Sequence, residues 1–315
     1  MAIKKYQLGR TGLKVTELCF GVLPMGKLQK NLPEAECVAL LQEGARLGIN
    51  FFDTAEAYNT QAFLGKAFQG DNERLVIATK SHATGYKEMQ ASVEKSLAEL
   101  KRDVIDIYHL HAARVDESVF AERAGALECL LDYKAKGKIR AVGIATHNVK
   151  VVKAAAERED IDVVFPLLNK AGRGIIDGTV ADMIEAIGQA GAAGKGVYIM
   201  KSLAGGNLLN EIKGAFEFVR QVEGSQAIAV GMVDKKEIAY NCAYFAGQEV
   251  PQQSITAQQK RLSIQRFCIG CGTCVEHCPN GALSLKDGKA VVDHSLCILC
   301  GYCSPHCPQF AIRLV

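Results

Sequence analysis

The chain has no tryptophan and only seven prolines in 315 residues, and aromatic residues make up 7% of it. It contains no apolar run of about 18 residues, the minimum for a membrane-crossing helix, and its start, Met-Ala-Ile-Lys-Lys-Tyr, lacks the apolar stretch of a signal peptide. No sign of charge dominates: 37 Lys and Arg against 34 Asp and Glu leave a net +3, which offers nucleic acid no electrostatic footprint. A Gly-x-Gly-x-x-Gly loop is missing too, so no Rossmann-type flavin domain is encoded. What remains is a chain of about two domains, expected in a reducing cytoplasm, with neither nucleic acid nor membrane as a partner.

Cysteine is scarce early and crowded late: eight of the twelve lie in the last 48 residues. Cys268, Cys271, Cys274 and Cys278 precede Pro279, and Cys297, Cys300, Cys303 and Cys307 precede Pro308. Both runs read Cys-x2-Cys-x2-Cys-x3-Cys-Pro, a spacing in which three thiolates hold one cubane and the fourth reaches the other. Two 4Fe-4S clusters are therefore expected. Cys268, Cys271, Cys274 and Cys307 would hold one, and Cys297, Cys300, Cys303 and Cys278 the other. Zinc normally uses paired Cys-x2-Cys knuckles across a long gap and calls for neither the third Cys nor the trailing Pro. The pattern resembles the two-cluster bacterial ferredoxins over residues 263–315. Cys19, Cys37, Cys129 and Cys242 are scattered in apolar surroundings and read as buried thiols. His277, His294 and His306 stand among the ligands and are expected to tune the clusters or face water.

Upstream, short apolar runs alternate with amphipathic stretches. Strands are expected at 17–22, 49–54, 75–80, 104–111, 139–145, 163–167, 197–203 and 227–231. Helical patterns between them include 33–47, 87–100, 118–136, 179–192 and 235–246. Eight strand–helix units in about 230 residues point to an α/β fold, a (β/α)8 TIM barrel, over an open sheet. Residues 5–15 are expected to form a hairpin plugging the barrel floor. The division is a barrel at 1–247, a linker at 248–262 rich in Gln, Ser and Thr, and a small α+β ferredoxin-like iron–sulfur domain at 263–315.

Chemistry in such a barrel sits where strands end. The second strand ends in Asp53, with Tyr58 five residues on; the third ends in Lys80; the fourth ends in His109-Leu110-His111. A lone Asp there is often a helix cap and a lone Tyr often core, but together these residues describe a proton-donating rim. Lys80 would lower the Tyr58 pKa, Asp53 would hold Lys80, and His111 would orient a substrate oxygen. His109 would share the face of His111 but lie deeper. His82 and His147, just past strands, read as solvated loop residues.

Residues 1–247 resemble an aldo-keto reductase. The resemblance rests on Leu-Gly-Arg-Thr-Gly-Leu-Lys-Val (8–15), Asn-Phe-Phe-Asp-Thr-Ala-Glu-Ala-Tyr (50–58), Val-Ile-Ala-Thr-Lys (76–80), Asp-Ile-Tyr-His-Leu-His (106–111), Gly-Lys-Ile-Arg-Ala-Val-Gly (137–143) and Leu-Ala-Gly-Gly (203–206). It implies a catalytic tetrad of Asp53, Tyr58, Lys80 and His111 and reduction of a small-molecule carbonyl with NAD(P)H. Cofactor contacts are expected at Asn169, Lys201, Gly231, Lys235 and Asn241, and the helix start after Gly231 offers amides to a phosphate. Other positions depart from the family: Ala145, Thr146 and Phe165 stand where carboxamide contacts belong, Met200 where an aromatic stacks, and Glu237 where Arg or Gln is usual. Nicotinamide moves two electrons and a cluster one, so an external electron carrier or a flavin mediator stays open. Three functions follow: a carbonyl oxidoreductase with the clusters as relay, an NAD(P)H reductase with the module as cap or redox switch, and a non-catalytic electron-transfer protein.

Overall fold

The computed structural model describes residues 2–70, 75–253, 260–297, 299 and 302–315. It opens on a hairpin of β1 (Lys5–Gln7) and β2 (Lys14–Thr16). There follow β3 (Leu18–Gly21), α1 (Glu34–Arg46), β4 (Phe51–Asp53), α2 (Gln61–Ala67), β5 (Val76–Ser81), α3 (Tyr86–Leu100) and β6 (Ile105–Ala112). Next come α4 (Val119–Glu122), α5 (Ala124–Ala135), β7 (Ile139–Thr146), α6 (Val149–Glu157), β8 (Val163–Pro166) and α7 (Val180–Ala192). β9 (Gly196–Met200), α8 (Ile212–Arg220), β10 (Ala227–Gly231) and α9 (Lys235–Phe245) complete the series. Strands β3 to β10 pair in parallel, each with the next, and β10 closes on β3 as a barrel.

Strand parity sorts the core into two layers. Cys19, Phe51, Ala78, Ile107, Phe165 and Tyr198 pack inside the barrel. Their strand neighbours Phe20, Phe52, Ile77, Tyr108, Val164 and Ile199 pack outward in the second cluster, where the helices contribute residues such as Leu41, Val93 and Leu130. Both faces of every strand are thus apolar, which is why the strands read as unbroken apolar runs. Leu8, Leu13 and Val15 of the opening hairpin join the inner cluster. Arg10 N donates to Gly194 O beside the start of β9, so the hairpin closes the floor as expected. The helix expected at 118–136 breaks at Arg123, whose Nη1 turns in to the His111 carbonyl oxygen at 3.1 Å. Among the described residues, no helix is long and apolar enough to cross a membrane.

Beyond α9 lies a small module. β11 (Leu262–Ile264) pairs antiparallel with β14 (Ile312–Leu314), and β12 (Leu283–Lys286) pairs with β13 (Lys289–Val292). A single turn, α10 (Thr273–Glu276), precedes β12. Its core of Leu262, Cys274, Leu283, Ala290, Cys303 and Ile312 is separate from the barrel's. The middle of the expected linker, 254–259, lies outside the described residues. Its flanks are fixed on α9: the Tyr240 hydroxyl donates to Pro251 O, and Lys260 pairs with Glu237.

One glycine links the fold to the site. A Cβ at Gly143 on β7 would lie 2.3 Å from His109 Nδ1 and 2.6 Å from Val163 O. Backbone cannot yield cheaply there. Gly143→Ala is expected to cost about 1–3 kcal/mol, read as a lower urea midpoint at unchanged slope, and to displace His109.

Candidate active site and the cysteine module

The mouth is organised by one buried ion pair. Lys80 Nζ donates to Asp53 Oδ1 at 2.6 Å, to Oδ2 at 2.9 Å and to Thr54 O at 2.6 Å. Parallel register creates this meeting: Asp53 sits opposite Ala78, two residues before Lys80 on β5. Burial raises the Asp53 carboxyl and lowers the Lys80 ammonium, and their mutual attraction opposes both shifts. Tyr58 arrives on the turn Glu56–Tyr58, its ring centroid 5.1 Å from Lys80 Nζ and edge-on to His111 at 5.8 Å. The four expected residues therefore gather at one mouth.

One electrostatic expectation fails. The Tyr58 phenol is pushed far above the usual tyrosine range, first by burial and then by the charge of Asp53. Lys80 does not lower it, because all three ammonium protons are directed to Asp53 and Thr54. The phenol stays protonated. His111 is held well below the usual histidine value by burial, then by His82 and Lys80, so it is a neutral imidazole. It stacks on exposed His82 at 4.0 Å, and its Nδ1 has no partner.

A second row lies beneath. Tyr198 on β9 donates its hydroxyl proton to Asp53 Oδ2 at 3.0 Å, and its oxygen lies 2.7 Å from His109 Nε2. With that proton committed, His109 Nε2 must be the donor in the second bond. Phe165 stacks on Tyr198 at 3.8 Å. Sequence reading missed Tyr198; the available signal was its inward parity, two residues before Met200, since a phenol in a barrel core needs a partner. His109 is fully buried, as expected. His147 is not a solvated loop residue: it is buried and accepts from Lys201 Nζ at 2.7 Å.

A cavity of about 170 Å³ opens above the ion pair. Asp53, Tyr58, Phe165, Met200, Gly231 and Glu237 are among its lining residues. The module supplies a further wall through Lys260, Arg313, Leu314 and Val315. Of the expected cofactor contacts, Lys201 and Gly231 line this cavity. Asn169 does not; both groups of its side-chain amide bond the backbone of Arg173 at 3.0 Å. Lys235 is exposed on α9, and Asn241 is buried in that helix with its Oδ1 unpartnered.

The start of α9 contradicts the phosphate expectation. Asp234 Oδ1 accepts from Glu237 N at 2.8 Å, and Glu237 Oε2 accepts from Val233 N at 2.7 Å. Two carboxylates occupy the amides a phosphate would need, and they repel it. With Ala145 and Phe165 at the carboxamide positions and module residues in the groove, these residues do not fit NAD(P)H. The cysteine module fits its clusters better. Cys268, Cys271, Cys274 and Cys307 surround one void. Backbone N–H groups already aim at sulfur: Ala282 N at Cys278 and Ala311 N at Cys307, both at 3.2 Å, and Gly270 N at Cys268 at 3.4 Å. Such donors stabilise cluster thiolates. Of the second set, Cys297, Cys303 and Cys278 are placed, whereas Cys300 lies outside the described residues. The scattered Cys19, Cys37, Cys129 and Cys242 are buried, and His277 stacks on His306 at 3.6 Å.

The module seats directly on the mouth. Arg114 Nη1 donates to Gln309 O at 2.8 Å, and the Arg313 guanidinium lies 3.7 Å over the Phe310 ring. Gly205 and Gly206, both at positive φ, receive β14: a Cβ on Gly206 would lie 2.5 Å from Leu314 O. Tyr198→Phe removes two hydrogen bonds and leaves Asp53 short of a donor. It is expected to cost about 1–3 kcal/mol in stability and about tenfold in kcat, with cluster absorbance unchanged in the same samples.

A family model described as "Aldo/keto reductase family" matches residues 17–217, and one described as "4Fe-4S dicluster domain" matches residues 267–314. L-galactose dehydrogenase of Arabidopsis thaliana is 32% identical over 193 residues, 56% of this chain and 59% of that protein. The uncharacterized oxidoreductase YqkF of Bacillus subtilis is 28% identical over 174 residues, 50% of this chain and 54% of its own. The chain thus spans a little over half the length of these curated relatives. Among solved structures, a Pseudomonas aeruginosa protein described as an aldo-keto reductase superposes with a TM-score of 0.68 at 27% identity, covering 77% of this chain and 95% of that one. The holo form of AKR11C1 from Bacillus halodurans shares the fold, with a TM-score of 0.64 at 23% identity over 81% of this chain and 94% of its own. A match of this extent across a closed parallel barrel makes the chain a member of the aldo/keto reductase family, carrying a 4Fe-4S dicluster domain after the barrel.

Proposed function

We propose that this oxidoreductase reduces a small carbonyl compound to its alcohol, with electrons reaching the barrel mouth through the dicluster module. The observation that carries the reading is one cavity walled both by Tyr58 and by the module's last strand. Reduction consumes two electrons and two protons per carbonyl. When bound, 4Fe-4S clusters would supply the two electrons singly; Tyr58 gives the proton on oxygen, and solvent water gives the proton on carbon and reprotonates Tyr58. Tyr58, which lines the cavity, donates to the carbonyl oxygen as negative charge develops there, with neutral His111 packed edge-on against its ring. Lys80 and Asp53 fix the rim around both. The high phenol pKa suits reduction, since the donor is never lost at working pH; alcohol oxidation would require the phenolate that burial disfavours.

In this reading Asp53, Tyr58, Lys80 and His111 are the catalytic set, the two cysteine sets hold the clusters, and an external carrier refills them. The alternative, a nicotinamide-dependent reductase with the module as cap, draws support from Leu314 and Val315 completing the cavity wall. Anaerobic titration of the cluster-loaded protein separates the two. The relay reading expects chemically reduced clusters to reoxidise on adding carbonyl substrate, with neither NADPH nor NADH needed. Tight NADPH binding with catalysis and unchanged cluster spectra would establish the cap instead.

Tyr58→Phe is expected to lower turnover by about 10²–10⁴-fold while cluster absorbance stays intact. An ordinary tyrosine would surrender its proton at about pH 10. Because the Tyr58 value is raised, the wild-type reduction rate is expected to remain flat through that pH; a fall centred there would refute the assignment.

A further inference from the structure

The cavity's charges do not balance. Among the described residues its wall holds two acidic side chains, and both are engaged: Asp53 by Lys80, and Glu237 by Lys260 and by Val233 N. Lys201 and Arg313 also line it, and among the described residues neither has a carboxylate within ion-pair distance. Arg313 is only 6% exposed, and its recorded hydrogen bond is to the neighbouring Ile312 carbonyl at 3.2 Å. Lys201 donates to His147, a neutral imidazole. One aromatic ring joins the two cations: Phe310 lies 3.7 Å from the Arg313 guanidinium and 5.7 Å from Lys201 Nζ.

The backbone adds a second sign of construction. Lys201 sits at φ +61, a left-handed conformation that is strained for a residue bearing a side chain. It is held there at the end of β9, where its ammonium faces the module. Burial and neighbouring cations lower the Lys201 ammonium well below the usual lysine range, and burial lowers Arg313 despite the Cys307 charge and the Phe310 ring, so each cationic form lacks part of its lost hydration. An anion entering the cavity restores it, through charge-assisted hydrogen bonds to a guanidinium and an ammonium. The cavity is small at about 170 Å³, below the usual range of about 300–1,000 Å³ for drug-sized ligands. It suits a compact molecule with its anionic group at one end and its carbonyl at the other.

We propose that the substrate is a short oxo acid, whose carboxylate is held by Lys201 of the barrel and Arg313 of the module while its carbonyl faces Tyr58. This rests on the carbonyl-reduction reading and deepens it. It gives the module a recognition role in addition to electron transfer, because one of the two anchoring charges belongs to β14. Arg313 is a specificity-determining residue in this scheme, and its effect is selective for substrates that carry the charge.

The test uses the full chain, loaded with clusters and kept anaerobic. Calorimetric titration compares 4-hydroxybutyrate with 1-butanol, which has the same chain length but no carboxylate. The expected result is at least tenfold tighter binding of the hydroxy acid. Arg313→Gln should collapse that ratio, and Arg313→Lys should retain most of it. If Arg313→Gln fails to hold its iron, Lys201→Met reads the same ratio. Equal affinity of the wild type for the two probes overturns the proposal. So does an Arg313→Gln protein that shifts only the cluster midpoint potential, since the arginine would then be a counter-charge to the cluster. Loss of ADP-ribose binding in that variant with 4-hydroxybutyrate affinity unchanged also overturns it, assigning the cations to a dinucleotide pyrophosphate. Turnover keeps the two proposals apart. Reduction of succinic semialdehyde and butyraldehyde with equal kcat/KM leaves carbonyl reduction standing and removes the anion site. Preferential binding of 4-hydroxybutyrate with neither aldehyde reduced keeps the site and removes the reaction.

Discussion

The Lys80–Asp53 pair is the constraint from which the mouth is built. Burial alone would discharge either group, since it raises the Asp53 carboxyl and lowers the Lys80 ammonium. The pair persists because each of its hydrogen-bonding positions is filled: Lys80 by two carboxylate oxygens and Thr54 O, Asp53 also by the Tyr198 hydroxyl. Removing one partner of such a buried pair typically costs about 3–5 kcal/mol, which ties the register of β4 and β5 to the chemistry. Its second consequence is electrostatic. A lysine wholly engaged with an aspartate presents little net charge to its neighbour, so burial governs Tyr58 and raises its phenol above the usual tyrosine range.

The barrel was legible because both faces of its strands are buried, so each strand is a short apolar run that periodicity and length can locate. The grouping of Asp53, Tyr58, Lys80 and His111 was legible because polar residues at the ends of such runs, such as Asp53, Lys80 and His111, have no apolar reason to be there. Tyr198 was not, since a tyrosine between Val197 and Ile199 reads as ordinary core until its partners on β4 and β6 are known. The sign of the Tyr58 shift was misread for a related reason: proximity of a lysine is visible in a motif, but the direction of its three protons is not. At α9 the signal was present and went unused. Asp234 followed three residues later by Glu237 is the capping-box spacing, and it means that the helix supplies its own anions.

The module's position was the least legible feature, because a linker's length bounds its reach without fixing its destination. The structure fixes it by pinning both linker flanks to α9, near the strand ends. From there β14 crosses Gly205 and Gly206, whose lack of side chains lets its backbone approach. These glycines belong to the Leu-Ala-Gly-Gly motif that marks the barrel's family, and here they seat a protein strand. Phe310 fills the remaining gap, against Gly174 on one side and beneath Arg313 on the other.

Seating a strand in that groove changes which electron source the mouth is suited to. A dinucleotide would need a long groove, a phosphate anchor and amide contacts for its carboxamide. This chain instead places Leu314 and Val315 along the groove, Asp234 and Glu237 at the anchor, and Ala145 and Phe165 at the amide positions. Each change alone would weaken binding by a contact or two; together they act on both ends of the ligand. Tyr58, Lys80, Asp53 and His111 nevertheless remain gathered. The strand that fills the groove belongs to the domain matched by the 4Fe-4S dicluster model, so one insertion both narrows the groove and brings that domain to the cavity wall.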